Sequence, residues 1–327
     1  MNKSLPSIGI DTLRINITST PERLKRFLLE CECASGSMLS HHGLPNVLVL
    51  PNIYSHSHVS LEFSVPKVAW DKEDNTILAD PNDVKIALLK LQNLTGFNTF
   101  DATVPRIDVT LSWESCESPS HYVDLFKQSE YYKKPINKDA GFGFIKRSAY
   151  ELIPYDKASE REAKGDKHLM GFNISRIELR VPERASGFIM NKSKWERSIS
   201  GEFYAKSLTT NEGFVACILA FQKTVTRDLR LNMLLKERKV NYLSSRSFAL
   251  YQYLLSCSDE SVCIQTMTEL QNDGRVSKFI VREVLTNLRN IRERANVIAH
   301  AVEVKEVIDS HVAAIMEEYP LRLRKAA

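Results

Sequence analysis

The hydrophobic pattern of this chain changes its period near residue 200, and this change constrains the fold more than any other feature. Before it, apolar residues alternate with polar ones, as in Leu13, Ile15 and Ile17. This two-residue period is typical of β-strands with one buried face. After it, apolar residues recur at helical spacing, as in 212–225. We therefore expect an α+β protein, in which an antiparallel sheet with flanking helices is followed by an all-helical C-terminal domain.

Four segments carry the strand pattern most clearly. They are 13–17, 59–65, 107–111 and 177–181. One-sided strands of this kind suit a sheet that helices cover on one face only, so we expect an open, polar second face. Helices are predicted over Pro21–Cys31 and Pro81–Leu94, the second with Asp80 as N-cap. A hairpin is predicted over Phe142–Tyr155.

The length of 327 residues is comfortable for two domains. We place a first domain at 1–195 and a helical domain at 205–327, with the boundary in the Ser-, Lys- and Thr-rich stretch 191–210. Six helical segments are predicted after this boundary. They are Glu212–Val225, Arg227–Arg238, Ser245–Cys257, Ser261–Gln271, Ser277–Arg294 and Val302–Glu318.

The composition excludes several classes of protein. With 43% hydrophobic and 26% charged residues, the chain is globular rather than disordered. The longest apolar run, Val215–Phe221, falls short of the roughly 20 residues that span a bilayer. Residues 1–9 lack the apolar stretch of a secretory signal, and the six cysteines contain no CxxC pair, so we expect a cytoplasmic protein with reduced thiols. A net charge of +4 permits nucleic-acid binding without arguing for it.

The strand alternation also places carboxylates on the polar face. Asp108 and Glu178 each lie between inward-facing apolar residues of their strands, and His58 and Glu62 take the same face of a third strand. If these strands are neighbours, Asp108 and Glu178 converge with Glu62 or His58. Oxygen ligands with an occasional imidazole suit Mg²⁺ or Mn²⁺. The alternative is that each acid is simply solvated.

A tyrosine and a lysine stand where the predicted hairpin ends. Tyr155 and Lys157 lie at a strand-to-helix junction. A phenol with a pKa of about 10 needs a nearby cation to act as a nucleophile. Lys157 can supply positive charge to the phenolate or to a scissile phosphate. The alternative is that Tyr155 is an aromatic residue at the edge of the core.

Taken in order, these elements resemble the replication initiators of filamentous single-stranded DNA phages. The motifs are IDTLRINI (10–17), LEFSVPKV (61–68), NDVKIALLKLQNL (82–94), RIDVTLS (106–112), YDK (155–157) and RIELR (176–180). The resemblance covers roughly residues 8 to 190 and continues weakly into the helical half. The chain is similar at greater distance to the Rep proteins of small rolling-circle plasmids. Each motif is short, so their order and spacing carry the specificity.

The resemblance implies a site-specific, metal-dependent DNA nickase of the HUH-like class in the first domain. Such an enzyme nicks one strand at a replication origin through a phosphotyrosine intermediate, leaves a 3′-OH primer for rolling-circle synthesis and rejoins the displaced strand. Tyr155 matches the nucleophile of the family and Lys157 its companion. Asp108 and Glu178 match acidic positions, and Glu62 lies on the strand where related nickases carry two histidines.

The metal site that the resemblance implies leaves its third ligand open. Either Glu62 or His58 completes it beside Asp108 and Glu178. Tyr131 and Tyr132 are further tyrosines that rank below Tyr155 as nucleophiles and can stack on bases.

Basic residues are assigned to DNA binding in both halves. Arg106 and Arg180 flank the acidic positions of the sheet. The segment 263–294 fits a helix–turn–helix with Gly274 in its turn, and an ordinary amphipathic helix pair is the alternative. The basic residues of its second helix are Lys278, Arg282, Arg289 and Arg292.

The expected partners follow from this function. They are origin DNA, both double- and single-stranded, and the replication helicase and polymerase of a bacterial host, in whose cytoplasm the protein is expected; no membrane is involved. Two other functions stay open: a non-catalytic origin-binding initiator or repressor, and a mobilisation relaxase. A phosphate-binding glycine loop is not among the motifs, because GFGF (141–144) has only two glycines.

Overall fold

A computed structural model of the chain provides its architecture. It describes residues 7–35, 38–41, 44–51, 58–71, 76–126, 132–133, 144–147, 149–165, 169, 171–193, 203–237, 260–274 and 277–319. Within these ranges the secondary structure combines antiparallel strands with helices, which confirms the α+β class.

Ten β-strands lie in the described ranges. They are β1 (Ser7–Thr18), β2 (Glu32–Ser35), β3 (Met38–His41), β4 (Leu44–Pro51), β5 (His58–Ser64), β6 (Thr103–Glu114), β7 (Tyr132–Lys133), β8 (Phe144–Lys146), β9 (Glu151–Asp156) and β10 (Ile174–Val181). They form one antiparallel sheet in the order β2-β3-β4-β5-β1-β6-β10-β9-β8-β7. The strands predicted to carry the site, β5, β6, β9 and β10, therefore lie at its centre together with β1.

The same part of the chain contains nine α-helices. They are α1 (Pro21–Leu29), α2 (Val65–Trp70), α3 (Pro81–Thr95), α4 (Pro119–Asp124), α5 (Lys157–Ala163), α6 (Ala185–Ser193), α7 (Asn211–Glu237), α8 (Glu260–Asn272) and α9 (Lys278–Glu318). A short 3₁₀ helix spans Ala205–Thr209. The predicted hairpin is confirmed where β8 pairs with β9.

The start of α3 follows from its sequence. The Asp80 side chain accepts a hydrogen bond from the backbone of Asp83, and the Asp83 side chain accepts one from the backbone of Asp80. This reciprocal capping satisfies two backbone donors at the first turn, and Pro81 fits the first helical position because its missing N–H is not needed there. The predicted N-cap at Asp80 is confirmed.

The core lies on the apolar face of the central strands. Leu13 and Ile15 of β1, and Ile107 and Val109 of β6, are fully buried. Helix α3 contributes further fully buried side chains, among them Leu88. Burying apolar surface contributes about 25 cal/mol per Å², so this face supplies much of the stability that holds the sheet in register.

The packing divides the chain into two units. The first comprises Met1–Asp228 and Lys305–Ala327, and the second comprises Leu229–Val304. Within the first unit, Gln222 of α7 donates to Asp309 of α9 at 2.9 Å. The start of α7 and the end of α9 therefore belong to the unit that holds the sheet. The predicted division into a first domain at 1–195 and a helical domain at 205–327 stays a prediction.

Two of the predicted helix breaks do not occur. The segments predicted at 212–225 and 227–238 form the continuous helix α7, and those at 277–294 and 302–318 form α9. The intervening residues 295–301 contain no proline or glycine, so nothing in them interrupts the backbone hydrogen bonds. The helix predicted at 245–257 lies outside the described residues. No helix within the described ranges has the length and apolar character needed to cross a bilayer.

Candidate functional site

The register of the central strands brings the predicted site residues together. On β10, Arg180 lies directly opposite Asp108 of β6. Glu178, two residues before Arg180, lies on the same face of the sheet. Next along this face, Arg176 lies opposite Tyr155 of β9. Asp108 and Glu178, predicted from the alternation to share a face, therefore do so, and Tyr155 lies on the same face.

Arginines link the carboxylates of this face into a row. Glu62 accepts from Arg14 at 2.8 and 2.5 Å and from Arg106 at 2.7 Å. Asp108 accepts from Arg106 at 3.1 and 2.7 Å and from Arg180 at 3.3 Å. Charges of opposite sign therefore alternate along the contacts Arg14–Glu62–Arg106–Asp108–Arg180, which offsets the cost of burying each one.

The tyrosine predicted as nucleophile joins the end of this row. Its hydroxyl donates to Oε1 of Glu178 at 2.5 Å, and Oε2 of Glu178 lies 3.5 Å from Nη2 of Arg180. The fully buried Arg176 lies beneath the pair, with Nη1 3.5 Å from the Tyr155 hydroxyl oxygen. Arg176 is held by Ser112 at 2.7 Å, so its guanidinium is fixed next to the phenol.

The expectation of an open polar face is wrong at the centre of the sheet. Asp108 is 2% exposed, Glu178 7% and Tyr155 5%. Paired charges can be buried where single ones cannot, because each partner replaces the displaced water. The segment before α3 also contacts this face, since the Thr76 carbonyl accepts from Arg176 at 3.0 Å.

Burial and neighbouring acids shift the titration of this cluster. Burial raises the pKa of Glu178, and the charge of Asp11 raises it further, against the opposing effect of Arg176. Burial also raises the pKa of Asp108. The pKa of Tyr155 lies well above its ordinary value, chiefly through burial and then through the charge of Glu178, while Arg176 acts in the opposite direction. Glu178 is therefore a stronger base than a solvated carboxylate.

Lys157 begins α5 directly after β9. Its Nζ donates to Glu160 at 2.7 Å and lies 6.0 Å from the centroid of the Tyr155 ring. Burial, followed by the charge of Arg176, lowers the pKa of Lys157 to about 8, although Glu160 acts in the opposite direction. Lys157 thus stands near Tyr155, as predicted, with a carboxylate as an ion-pair partner.

The carboxylates as arranged do not fit a divalent cation. All six oxygens of Glu62, Asp108 and Glu178 lie against an arginine nitrogen or the Tyr155 hydroxyl. Nor do these three described residues form a group whose ligand oxygens all lie within 4.8 Å of one another. A cation between Asp108 and Glu178 would have to displace Arg180.

His58 occupies the far end of the same strand face as Glu62. It pairs with Thr18 of β1, whereas Glu62 pairs with Arg14. The four-residue separation corresponds to roughly 13 Å along the strand. Of the two residues proposed to complete a metal site, Glu62 is the one that shares an arginine with Asp108.

Sequence reasoning missed four members of the cluster. Asp11 breaks the alternation of β1, because it stands where an inward apolar residue belongs. The register of β1 against β6 shifts between Ile10 and Thr12, which places Asp11 in a bulge. An acid at an apolar position was the signal that could have revealed it. The other missed members are Arg14, Arg176 and Thr110, whose buried hydroxyl oxygen has no hydrogen-bond partner among the described residues.

The remaining predicted residues lie elsewhere. Lys278 and Arg282 are exposed at the start of α9, after a turn in which Gly274 adopts a φ of 68°. The two helices that flank this turn, α8 and α9, are those predicted for a helix–turn–helix, and the DNA-binding role stays a prediction. The side chains of Arg289 and Arg292 lie outside the described residues.

Of the two tyrosines ranked below Tyr155, the structure describes Tyr132. Tyr132 belongs to β7 at the edge of the sheet, where its backbone pairs with Ile145 of β8. Tyr131 lies outside the described residues.

No family model matches the chain, and no curated protein matches it. Among solved structures, the chain is similar to a rolling circle replication initiator protein from Geobacillus stearothermophilus. That similarity covers 57% of this chain and 77% of the other, with a TM-score of 0.33 and 10% sequence identity.

Proposed function

We propose that this chain is a rolling-circle replication initiator that nicks one strand of origin DNA with Tyr155 as nucleophile. One observation carries the proposal: the Tyr155 hydroxyl donates at 2.5 Å to Glu178, a carboxylate whose pKa is raised by burial and by the charge of Asp11. A nucleophile and its base must lie within hydrogen-bond reach, and this pair does. The motif order described above supplies the class of reaction.

The residues of the cluster support each part of such a step. Glu178 takes the phenol proton as the Tyr155 oxygen forms its bond to phosphorus. The bond from phosphorus to the 3′ oxygen breaks, and that oxygen takes up a proton from water to become the 3′-OH. Arg176, 3.5 Å from the phenol oxygen, favours the phenolate that forms transiently.

The guanidinium of Arg180 is the natural contact for the scissile phosphate. Its side chain is 32% exposed, and its contacts with Asp108, Glu178 and Glu151 are long, at 3.3 to 3.9 Å. It can therefore exchange a carboxylate for a phosphate at small cost. Because Tyr155 is buried, DNA reaches it only after the more exposed Arg180 guanidinium moves. Arg106, the next arginine of the row, also contacts Asp108.

The Mg²⁺ or Mn²⁺ expected from the resemblance stays a proposal, as do the helicase and polymerase partners. Asp108 and Glu178 would hold it only if Arg180 left them, and a Glu178 bound to a cation could not also take the phenol proton. A divalent cation would supply charge stabilisation at the phosphate oxygens.

The test is trapping of a covalent adduct. The purified chain is incubated with supercoiled DNA that carries its cognate origin, and with end-labelled single strands of that origin, each with EDTA, Mg²⁺ or Mn²⁺. We expect relaxed circles together with a denaturant-resistant protein–DNA adduct. Relaxation without an adduct excludes the tyrosine mechanism, and equal activity in EDTA excludes the metal requirement.

A second candidate function is that of a non-catalytic initiator, and the pairing of all the carboxylates of this row with arginines favours it. Every carboxylate in the row is neutralised by arginine, and Tyr155 is buried. Such a network is also what stabilises a protein that binds an origin without cutting it. This non-catalytic initiator would bind the same DNA and give neither relaxed circles nor an adduct.

A further inference from the structure

A second polar cluster lies within the sheet-containing unit, beside α6 and α7. The Tyr150 hydroxyl donates to the buried carboxylate of Asp228 at 2.8 Å and accepts a hydrogen bond from Arg227. Asp228 also lies 3.4 Å from Arg227 and 3.5 Å from Arg147. These contacts join the turn before β9 to the middle of α7.

Two lysines extend this cluster along α6 and α7. Lys223 lies one helical turn before Arg227 and donates to the Lys192 carbonyl oxygen at 2.9 Å. Lys192 lies on α6 with its Nζ 5.9 Å from the centroid of Phe188, the ring that contacts Tyr150. The group of described residues thus contains four basic side chains and one carboxylate, a formal excess of three positive charges. We call it the α6–α7 basic cluster: Arg147, Lys192, Lys223, Arg227 and Asp228.

The excess positive charge is partly accessible. Arg227 is 45% exposed and Arg147 is 22% exposed, whereas Asp228 is 1% exposed. Burial lowers the pKa of Lys192, and the charge of Arg227 adds to this effect while Asp228 opposes it. An anion placed over this surface would meet exposed basic side chains, whereas the carboxylate of Asp228 is buried beneath them. The ligand class that the cluster fits is therefore a polyanion.

An aromatic ring accompanies the positive charges. Phe188 of α6 is half-buried, with its centroid 5.4 Å from that of Tyr150 and 5.9 Å from Nζ of Lys192. Basic side chains interleaved with an accessible aromatic ring are typical of surfaces that bind single-stranded nucleic acid, because phosphates meet the cations while bases stack.

The chain connects this cluster directly to the candidate site. Tyr150 immediately precedes Glu151, the first residue of β9, and Glu151 lies 3.9 Å from Arg180. Arg180 in turn contacts Asp108 and Glu178. The cluster and the guanidinium that we assign to the scissile phosphate are therefore linked through consecutive residues at the start of β9, whose side chains project to opposite sides of the strand.

We propose that the α6–α7 basic cluster binds the phosphodiester backbone of single-stranded DNA that enters or leaves the site. The identity of the polyanion rests on the proposed function, whereas the polyanion-binding surface rests on the contacts above. Lys192, Lys223 and Arg227 carry the interaction. Arg147 positions Asp228, and Phe188 offers a stacking face.

The test compares two triple variants of equal charge. The first combines Lys192→Gln, Lys223→Gln and Arg227→Gln. The matched control combines Arg26→Gln, Lys206→Gln and Lys305→Gln, whose side chains are 85%, 56% and 53% exposed elsewhere in the same unit. Binding of a fluorescent single-stranded origin oligonucleotide is measured by anisotropy from 50 to 300 mM NaCl, in a Tyr155→Phe background that prevents cleavage.

For the cluster variant we expect a weaker affinity and a flatter plot of log K against log salt. On a single strand, the slope should fall by about 0.7 for each phosphate that the variant no longer neutralises. The control variant should keep the wild-type slope. An unchanged slope in the cluster variant, an equal reduction in the control, or no oligonucleotide binding by the parent protein would each overturn the proposal.

This result is separable from the nicking assay. If wild-type protein gives no covalent adduct while the cluster variant still binds more weakly and with a flatter slope, the proposed enzyme is wrong and the binding surface stands. If the adduct forms while the cluster variant binds like the control, the surface is wrong and the enzyme stands. Duplex DNA of the same sequence is a further arm, and an equal reduction of affinity on duplex would exclude a preference for single strands.

Discussion

Two tyrosines five residues apart make the same hydrogen bond in opposite electrostatic settings. Tyr155 donates to Glu178, and Tyr150 donates to Asp228; both carboxylates are buried. Each pair also has an arginine near the phenol oxygen, Arg176 for Tyr155 and Arg227 for Tyr150. The hydrogen bond alone therefore does not distinguish a reactive tyrosine from a structural one.

The neighbours of the two carboxylates make the difference. Burial raises the pKa of Glu178, and the charges of Asp11 and Asp108 raise it further against the opposing effect of Arg176, so this carboxylate accepts a proton more readily. Around Asp228 the neighbours are instead Arg147 and Arg227. Acidic neighbours favour proton transfer to a carboxylate, and basic neighbours favour the binding of an anion. This difference supports the proposed chemistry at the first cluster and the proposed backbone binding at the second.

The pKa values of both phenols are raised. Burial and Asp228 raise the pKa of Tyr150 to about 12, while Arg227 and Arg147 act in the opposite direction. The pKa of Tyr155 is also raised well above its ordinary value, mainly by burial. Neither phenol ionises at neutral pH, so cleavage requires a base in contact with the hydroxyl. Glu178 meets that requirement for Tyr155.

The largest effect on nicking is expected from removing the Tyr155 hydroxyl, whereas removing the Tyr150 hydroxyl should have little effect. Tyr155→Phe should lower nicking by several orders of magnitude, because a phenyl ring cannot attack phosphorus. Tyr150→Phe, the matched control, should nick at close to the wild-type rate. The measurement is adduct formation on labelled origin DNA, with circular dichroism to confirm that both variants fold.

Peptide mapping of the adduct tests the same assignment directly. Label should be found on the peptide that contains Tyr155. Label on the peptide with Tyr131 and Tyr132 would move the nucleophile to the edge of the sheet and leave Tyr155 as a buried partner of Glu178. Normal nicking by the phenylalanine variant would do the same.

The carboxylates provide the second contrast. Glu178→Gln keeps the shape of the side chain but removes the base, so nicking should fall by about 10²- to 10⁴-fold, the usual size of general-base catalysis. Asp228→Asn should leave nicking in place and instead destabilise the fold by about 1–3 kcal/mol, because its buried partners are deprived of a charge-assisted acceptor. Urea denaturation measures the second effect. An equal decrease of nicking in the two variants would contradict the comparison.

Much of the first cluster follows from sequence because strands have a fixed side-chain period. Alternation alone placed Glu62, Asp108 and Glu178 on one face, and neighbouring strands then had to bring them together. The N-cap of α3 was equally local, since Asp80 and Pro81 act within one turn of the helix. These features depend on residues that are close in the sequence.

What the sequence could not provide depends on distant partners. Asp228 meets Tyr150 across 78 residues, and no spacing rule predicts that contact. The pairing of Arg106 with both Glu62 and Asp108 likewise depends on strand order, and this pairing is what allows the polar face to be buried. The bulge at Asp11 is a local defect in register that simple alternation does not describe.

A smaller effect is expected from the basic residues of the second unit. We expect weaker binding of duplex DNA, if the segment 263–294 binds DNA, from the variant that combines Arg282→Gln, Arg289→Gln and Arg292→Gln. The slope of log K against log salt should then fall by about 0.9 for each phosphate that is no longer neutralised. Lys278 stays in place in this variant to keep the first turn of α9 intact. An unchanged affinity and slope would assign these arginines to a solvated helix face, and the α6–α7 basic cluster would be the better-supported DNA-binding surface.

The smallest effect concerns Lys157 and the dependence of stability on pH. Its pKa in the folded state is lowered to about 8 from an ordinary value of 10.5, chiefly by burial. Between these values the unfolded chain holds a proton that the native state has released, so this group makes the free energy of unfolding rise with pH over that window. Lys157→Met should remove that rise, on the order of 1–3 kcal/mol. Lys164→Met is the control, because Lys164 contacts the same Glu160 but is 67% exposed. Urea denaturation at pH 7.5, 9 and 10.5 measures the difference from wild type. A curve for Lys157→Met that stays parallel to the wild-type curve would mean that Lys157 keeps its proton throughout, as a permanent ion-pair partner of Glu160 and a fixed positive charge beside Tyr155.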